Sequence, residues 1–197
     1  RIKSGLIRQY SLTGDPADTS KYRLGILRDP NSRGGSSAIH ARFKAGDTIK
    51  ISRPRNNFPL QSAAHTILIA GGIGVTPMLG MAYALEAKGA SWEMHYRGHS
   101  TDRLAFRQEM ERFGRKVQFH VSDNPAGQTF DIESILQNPA PDRHLYVCGP
   151  NGFMDFVVSA SDANGWDSAC VHLERFGAEV DTDGSPFTVV AQASGKT

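Results

Sequence analysis

The chain has 197 residues, a formal net charge of +2 and a hydrophobic content of 39 %. These values are typical of a globular protein with one large domain or two small ones, and the charge is too small to indicate nucleic-acid binding. No apolar run approaches the roughly 18–20 residues of a membrane span. The two cysteines, Cys148 and Cys170, show neither metal-ligand nor disulfide spacing. We therefore expect a cytoplasmic protein with no metal site in this chain and no nucleic-acid or membrane partner.

Residues 1–62 are predicted to form a β module. The segments 6–12, 22–27 and 48–54 contain alternating or β-branched residues and lie between Gly, Asp and Pro residues. This pattern is typical of an antiparallel β-barrel or sheet. The first residues already read as part of a strand, so we expect a barrel that is incomplete at its amino end. One short helix is expected within the module, over residues 36–43.

Residues 63–180 are predicted to form an α/β module. Short apolar strands alternate with segments of helical periodicity, a pattern that predicts a doubly wound, five-stranded parallel sheet. The expected strands are 66–70, 92–96, 117–121, 145–148 and 169–173. The expected helices are 77–88, 103–113, 132–137 and 152–164. The charges of Arg107, Glu109, Glu111 and Arg112 alternate in sign, which predicts a solvated face for the second helix.

A glycine turn after the first α/β strand is the strongest motif of the chain. Gly71, Gly72 and Gly74 permit a tight turn and a close approach of backbone or ligand. Thr76 and Pro77 follow as an expected helix cap and a first-turn proline. A helix amino terminus at this position favours a pyrophosphate. The third glycine of the dinucleotide fingerprint is missing, so a tight turn without a ligand explains the motif equally well.

A second candidate phosphate site opens the short helix of the β module. The segment 33–37 (Arg-Gly-Gly-Ser-Ser) has small residues whose backbone N–H groups can converge on an anion, together with two hydroxyl donors. Arg33 and Arg8 supply candidate charge-assisted hydrogen bonds to phosphate. Alone, such a segment is more often a flexible loop. Two candidate phosphate sites in adjacent modules, however, indicate two phosphate-bearing cofactors.

Four stretches, in order along the chain, resemble the ferredoxin–NADP⁺ reductase superfamily and, within it, the phthalate dioxygenase reductase type. Residues 8–11 (Arg-Gln-Tyr-Ser) are similar to the family's flavin-binding strip, and residues 33–36 are similar to the phosphate loop of its FMN-binding members. The turn at 71–77 is similar to its nicotinamide-side turn, which explains the missing third glycine. Residues 148–154 and 172–177 resemble its carboxyl-terminal signature.

The resemblance implies an NADH-dependent flavin oxidoreductase that serves as the reductase component of an oxygenase. Hydride would pass from NADH to FMN, and single electrons would pass through a plant-type [2Fe–2S] cluster to a terminal Rieske-type oxygenase. That cluster needs four cysteine ligands, which Cys148 and Cys170 cannot supply. The cluster ligands are therefore expected beyond Thr197, and residues 181–197 are expected to be a linker and the first strand of a ferredoxin domain. A monomer is expected.

The resemblance also implies roles for individual residues. The residues expected at the reacting ends of the cofactors, and so as catalytic residues, are Ser11, Cys148, Glu174 and Phe176. The implied flavin-binding residues are Arg8, Gln9, Tyr10, Ser11, Ile26, Leu27, Arg28, Arg33, Gly34, Gly35, Ser36 and Ser37. The implied nicotinamide-side residues are Gly71, Gly72, Gly74, Thr76, Pro77, Arg97, His99, Asp123, Cys148, Gly149, Pro150 and Phe176.

Two positions bear on the choice of nicotinamide cofactor. Relatives often carry an arginine where His99 stands, so Arg97 or Arg103 would have to take its place in contacts to the cofactor phosphates. Asp123 follows the third α/β strand, where a carboxylate can accept hydrogen bonds from ribose hydroxyls and repel a 2′-phosphate. This placement favours NADH over NADPH.

Two other functions remain open at this point. One is a stand-alone reductase that holds FAD and serves a separate ferredoxin or haem partner. FAD members need an additional adenosine-binding stretch after the phosphate loop, and here a helix is expected at once. The other is a non-catalytic nucleotide-binding module, which the intact Arg8, Tyr10 and Ser11 disfavour.

Overall fold

The computed structural model describes residues 7–30, 34–123 and 130–177. Its helices are α1 Gly35–Arg42, α2 Val75–Ala87, α3 Arg107–Met110, α4 Ile132–Ile135 and α5 Asn151–Ala163. Its strands are β1 His65–Gly71, β2 Trp92–Gly98, β3 Val117–Val121, β4 Arg143–Cys148 and β5 Val171–Glu174. The predictions for Arg33 and for residues 181–197 lie outside the described residues.

The five strands form one parallel sheet in the order β3-β2-β1-β4-β5. The predicted five-stranded parallel α/β module is therefore confirmed. The direction of chain progression reverses between β1 and β4, and a crevice for ligands lies outside the carboxyl ends of the strands at such a point. The register pairs Gly71 with Arg97, Ala70 with Cys148, and Cys148 with Glu174. Four predicted site residues thus lie along one edge of the sheet.

Apolar side chains cover both faces of the sheet. Because successive residues of a strand point to opposite faces, Leu68 packs in the cluster that contains α2, and Ile67 packs in the cluster that contains α5. Every residue of β1 after His65 is buried, as expected for a central strand covered on both sides. None of the helices in the described part of the chain has the length and apolar character that a membrane crossing requires.

The amino-terminal module differs from the expectation of three barrel strands. Among the described residues, the predicted segments form no regular ladder, and a single antiparallel bridge joins Leu12 to Leu24. Beside it, the Thr13 N–H donates to the Arg23 carbonyl at 3.0 Å. A strand needs a neighbour that satisfies its N–H and C=O groups. Within the described residues, these segments find such a neighbour at this one point.

The prediction of one continuous helix at 103–113 is wrong, because the segment is divided into shorter elements. Phe106 has a φ of 61° and precedes the four-residue α3, and Gly114 interrupts the following 3₁₀ segment Glu111–Lys116 with a φ of 59°. Both values lie in the left-handed region, which an α-helix cannot accommodate. The predicted solvated face is also wrong at Glu109, whose carboxylate is hydrogen-bonded to Arg23 across the molecule.

Three smaller differences concern element ends. Thr76 is not the cap of α2, because the helix begins one residue before it, and its hydroxyl donates to the Ile73 carbonyl at 3.0 Å. The helix α4 is shorter than expected, and the Asp131 side chain caps it by accepting from the Ser134 N–H. The strand β5 begins at Val171 because residues 168–170 form a 3₁₀ turn.

We expect the sheet core to control stability and the exposed part of the amino-terminal module to contribute little. Ile67→Ala should destabilise the protein by about 2–5 kcal/mol, because Ile67 is 0 % exposed in the central strand. The matched control is Ile51→Ala, whose side chain is 66 % exposed. It should change the free energy of unfolding by less than about 0.5 kcal/mol. Chemical denaturation of both variants checks this, and equal effects would contradict the assignment of the core.

Candidate functional site

The glycine turn brings the start of α2 against the end of β4. A Cβ atom at Gly74 would lie 2.2 Å from the Cys148 carbonyl oxygen, and one at Gly71 would lie 2.6 Å from a ring atom of Phe153. Real Cβ atoms do not approach backbone so closely, so only glycine fits at Gly74. Gly72 has a φ of 53°, which also favours glycine. The turn therefore places the amino terminus of α2 between the ends of β1 and β4, and a helix amino terminus favours an anion.

Cys148 lies at the centre of this edge and is 0 % exposed. Burial raises the pKa of its thiol far above the usual range, and the nearby Glu174 carboxylate raises it further. The thiol is therefore neutral at physiological pH and is not a nucleophile. Its neighbour Gly149 is buried, whereas Pro150 is exposed at the start of α5.

Ser11 and Glu174 join the amino-terminal strip to the edge of the sheet. The Ser11 hydroxyl donates to Glu174 Oε2 at 3.0 Å, although the two residues are 163 positions apart in the chain. Both side chains are half-buried. Burial raises the pKa of Glu174, and the hydrogen bond from Ser11 opposes part of that shift. The site thus contains a carboxyl group whose proton is held more tightly than in water.

Gln9 and Tyr10 precede Ser11 in the strip, and Phe176 follows Glu174 after β5. Tyr10 is half-buried, and burial raises the pKa of its phenol, whereas the charge of Arg8 acts in the opposite direction. Gln9 is exposed. Phe176 follows β5 and is 40 % exposed, which leaves a large aromatic face open beside the sheet edge.

A cationic cradle forms at the amino terminus of α1. A Cβ atom at Gly35 would lie 2.6 Å from Arg8 Nε, so the arginine side chain packs directly against the glycine backbone. Gly35 and Ser36 are buried, Ser37 is exposed, and Gly34 has a φ of 84° at the cap position. The positive charge, the helix amino terminus and the absent side chain together fit a phosphate group.

The segment 26–29 lies beside the same helix. The Ile26 carbonyl is 2.8 Å from His40 Nε2, and the Asp29 N–H donates weakly to the Ser36 hydroxyl at 3.4 Å. Ile26 is half-buried, and Leu27 and Arg28 are exposed. The structure therefore brings this segment, Arg8 and the start of α1 into one group.

A third group of predicted residues lies at the carboxyl ends of β2 and β3. The Asp123 N–H donates to the His99 carbonyl at 3.0 Å, and both side chains are exposed. Arg97 lies over the ring of Phe130, with 5.5 Å between the guanidinium carbon and the ring centroid. The three residues therefore occupy the same edge of the sheet as the glycine turn, but they lie on the opposite side of it from Glu174.

Several side-chain contacts between residues that are distant in the sequence were not predicted. Phe153 packs against the glycine turn, and Arg23 binds Glu109. His95 is buried beside His120, with 3.1 Å between their ring nitrogens. Among the described residues, no cluster of three or more His, Cys, Asp or Glu side chains could hold a metal ion. The pairing of distant residues left no local signal in the sequence.

Comparisons with known proteins agree with this geometry. Residues 68–159 match the family model for an oxidoreductase NAD-binding domain. The vanillate O-demethylase oxidoreductase of Pseudomonas putida is 44 % identical over 200 residues, which cover 99 % of this chain and 63 % of that protein. The phthalate dioxygenase reductase of Burkholderia cepacia is 37 % identical over 201 residues, which cover 98 % of this chain and 62 % of that protein.

A solved structure of phthalate dioxygenase reductase superposes with a TM-score of 0.81 at 37 % identity, over 90 % of this chain and 56 % of that one. The chain is therefore similar to reductases of the phthalate dioxygenase reductase type over almost its whole length. An intact type IV self-sufficient cytochrome P450 monooxygenase is also similar, with a TM-score of 0.80 at 33 % identity over 94 % of this chain and 23 % of that one. The chain spans about three-fifths of the length of the curated relatives it matches.

We expect Gly74→Ala to disrupt the contact between α2 and β4. The new methyl group would meet the Cys148 carbonyl, and neither backbone can move without disturbing the central strands, so we expect a loss of about 1–3 kcal/mol. The matched control is Gly152→Ala in the first turn of α5, where no atom lies within 4 Å. It should be neutral or stabilising, because alanine favours helix. Thermal unfolding of both variants checks this, and an unchanged melting temperature for Gly74→Ala would contradict the close approach.

We expect Glu174→Gln to stabilise the fold increasingly as the pH rises. Below the unfolded pKa of about 4.3, Glu174 is protonated in both states and its ionisation contributes nothing. As the pH rises above that value, the unfolded chain ionises first, because burial raises the pKa in the folded state. The parent protein therefore loses stability relative to the variant. Denaturation of both proteins between pH 4 and pH 8 measures the difference, and a difference that does not grow with pH would contradict the assignment.

Proposed function

We propose that this protein is the reductase component of an oxygenase system, which accepts hydride from NADH on a bound FMN and passes single electrons onward. The observation that carries the proposal is the hydrogen bond from Ser11 to Glu174, because it joins the flavin strip to the nicotinamide edge of the sheet. The names of the relatives support it, since they are oxidoreductases and reductases of demethylase, monooxygenase and dioxygenase systems.

The residues of the chain fit a flavin phosphate and a nicotinamide dinucleotide. Arg8, packed against Gly35 at the start of α1, would hold the FMN phosphate together with the backbone of Gly34 and the hydroxyls of Ser36 and Ser37. Arg33 and the backbone of residues 26–28 would complete that site. The turn at 71–74 would admit the pyrophosphate of NADH, because no atom lies within 4 Å of a Cβ position at Gly72, just before α2.

The bound nicotinamide and flavin would supply the hydride chemistry itself. The remaining side chains would orient the two cofactors and control protons at the site. Tyr10 would provide a flat surface for the flavin ring, and Ser11 would stand beside it with its hydroxyl proton donated to Glu174 and its oxygen available as an acceptor. Cys148 would present an uncharged thiol to the nicotinamide, because burial keeps it protonated. Phe176 would shield the open side of the site from water.

We further propose which flavin, which nicotinamide cofactor and which electron acceptor the protein uses. FMN is favoured over FAD because α1 follows the phosphate loop at once, which leaves no stretch for an adenosine. Asp123 favours NADH. Electrons would leave through a [2Fe–2S] domain whose ligands lie beyond Thr197, and then reach a terminal oxygenase. We further propose that the protein is a cytoplasmic monomer and that the modules divide at residues 62 and 180.

The proposal is tested with the full-length protein purified with its flavin. Acid release and chromatography identify the flavin, and anaerobic addition of NADH measures its reduction. FMN that is bleached by NADH within seconds is the expected result. A protein without flavin, or a flavin that NADH does not bleach, would contradict the reductase function, and released FAD would contradict the choice of FMN.

We expect Asp123→Ser to reduce the preference for NADH over NADPH by about 10-fold or more. The change removes a carboxylate that would accept hydrogen bonds from the ribose hydroxyls and repel a 2′-phosphate. The readout is the ratio of kcat/KM for the two cofactors. A suitable control is Asp102→Ser, an exposed aspartate of the same region whose carboxylate accepts a local hydrogen bond from Ser100. A ratio that is unchanged in Asp123→Ser would contradict the role of Asp123.

A further inference from the structure

Arg23 contacts Glu109 and Phe106 of the α/β module and, within its own module, the Thr13 carbonyl. Its guanidinium donates to the Thr13 carbonyl at 2.7 Å and to both carboxylate oxygens of Glu109 at 2.8 Å and 2.7 Å. The guanidinium also lies over the ring of Phe106, 5.3 Å from its centroid. A bidentate arginine–carboxylate pair restricts orientation as well as distance. The contact therefore fixes the angle between the two modules.

Glu109 is held from a second side. The hydroxyl of Tyr83, in α2, donates to Glu109 Oε1, and Arg112 lies over the Tyr83 ring at 5.4 Å. Burial opposes the ionisation of Glu109, but the hydrogen bonds from Arg23 and Tyr83 outweigh it and lower the pKa of the carboxyl group. Glu109 is therefore ionised at neutral pH and accepts from Arg23 and Tyr83 together.

The positions of these partners link the pair to both cofactor sites. Thr13 is two residues after Ser11, so its carbonyl holds the end of the flavin strip. Tyr83 lies on α2, whose amino terminus is the glycine turn. Between these points the packing is close. A Cβ atom at Gly25 would lie 2.7 Å from a methyl carbon of Thr76, and one at Gly80 would lie 3.4 Å from the Leu12 carbonyl. A shift of the pair would therefore be transmitted to the strip.

We propose that Arg23 and Glu109 are positioning residues, which hold the flavin strip at a fixed distance from the glycine turn and so set the alignment for hydride transfer. The inference rests on the proposed reductase function. Among the described residues, side-chain hydrogen bonds join the region of the strip to the α/β module through Ser11 and Glu174 at β5 and through Arg23 and Glu109 at α3. Loss of either attachment would give the strip more freedom to rotate about the other. Two attachments define its orientation.

The test uses Glu109→Gln, which keeps the shape of the side chain and removes its charge, in the full-length flavin-loaded protein. The rate of flavin reduction at saturating NADH should fall about 10-fold, because reacting groups lose alignment with a shift well below 1 Å. The KM for NADH and the flavin content should remain within about twofold, because neither side chain touches the cofactor sites. Glu111→Gln is the matched control, since it removes the exposed Arg107–Glu111 pair from the same segment.

A second measurement does not depend on catalysis. Amide hydrogen exchange at residues 11–13 and 23–25 should be faster in Glu109→Gln than in the parent protein and in Glu111→Gln, because one attachment of the strip is lost. Arg23→Lys, which retains the charge without the bidentate geometry, should show a smaller change in the same direction, and it replaces Glu109→Gln in both measurements if that variant does not fold.

The outcomes separate the two proposals. Equal rates and equal exchange in Glu109→Gln and Glu111→Gln would overturn the positioning role. A rate loss with unchanged exchange, or an increase in KM that accounts for the whole loss, would also overturn it. If the parent protein is not reduced by NADH at all, the reductase function fails. The exchange data then decide on their own whether the pair holds the strip.

Discussion

The binding edge of this sheet depends on the close approach of the Gly74 backbone to the Cys148 carbonyl. At this point the turn after β1 must pass beside the end of β4, and a Cβ atom on the turn would lie 2.2 Å from that oxygen. The approach packs the buried start of α2 against β4 at the reversal of the strand order, while the space beside Gly72 in the turn stays open. Without it, the parallel sheet would still have a core, but its carboxyl edge would have no opening for a dinucleotide.

The amino-terminal strip is held in place by contacts with that edge. Within its own module, as far as the described residues show, this partly exposed segment leads into one antiparallel bridge. Ser11 reaches Glu174, and Arg23 reaches Glu109, so side-chain contacts across the molecule take the place of a regular ladder in holding it. Around the contact with Ser11, burial raises the pKa of both the Cys148 thiol and the Glu174 carboxyl group. Burial therefore opposes the ionisation of both groups at this edge of the sheet.

The parts of the fold that the sequence predicted are those with a local signal. Short apolar runs between segments of helical periodicity mark all five strands, and Asp131 is recognisable as a cap because capping acts within three residues. The helix expected at 103–113 failed because the left-handed conformation of Phe106 depends on tertiary packing. Glu109 was assigned to a solvated face for a similar reason, since its partner Arg23 lies 86 residues earlier. The candidate residues were recognisable by resemblance, whereas their pairing across 163 residues was not.

The most direct test of the account is a double-mutant cycle on Ser11 and Glu174, read out as the rate of anaerobic flavin reduction by NADH. The central claim is that these two side chains act as one unit where the flavin strip meets the sheet edge. It predicts that Ser11→Ala and Glu174→Gln each slow reduction and that the double variant is about as slow as the slower single variant. If the fold-loss in rate of the double variant equals the product of the two single losses, the residues act independently, which would contradict the claim.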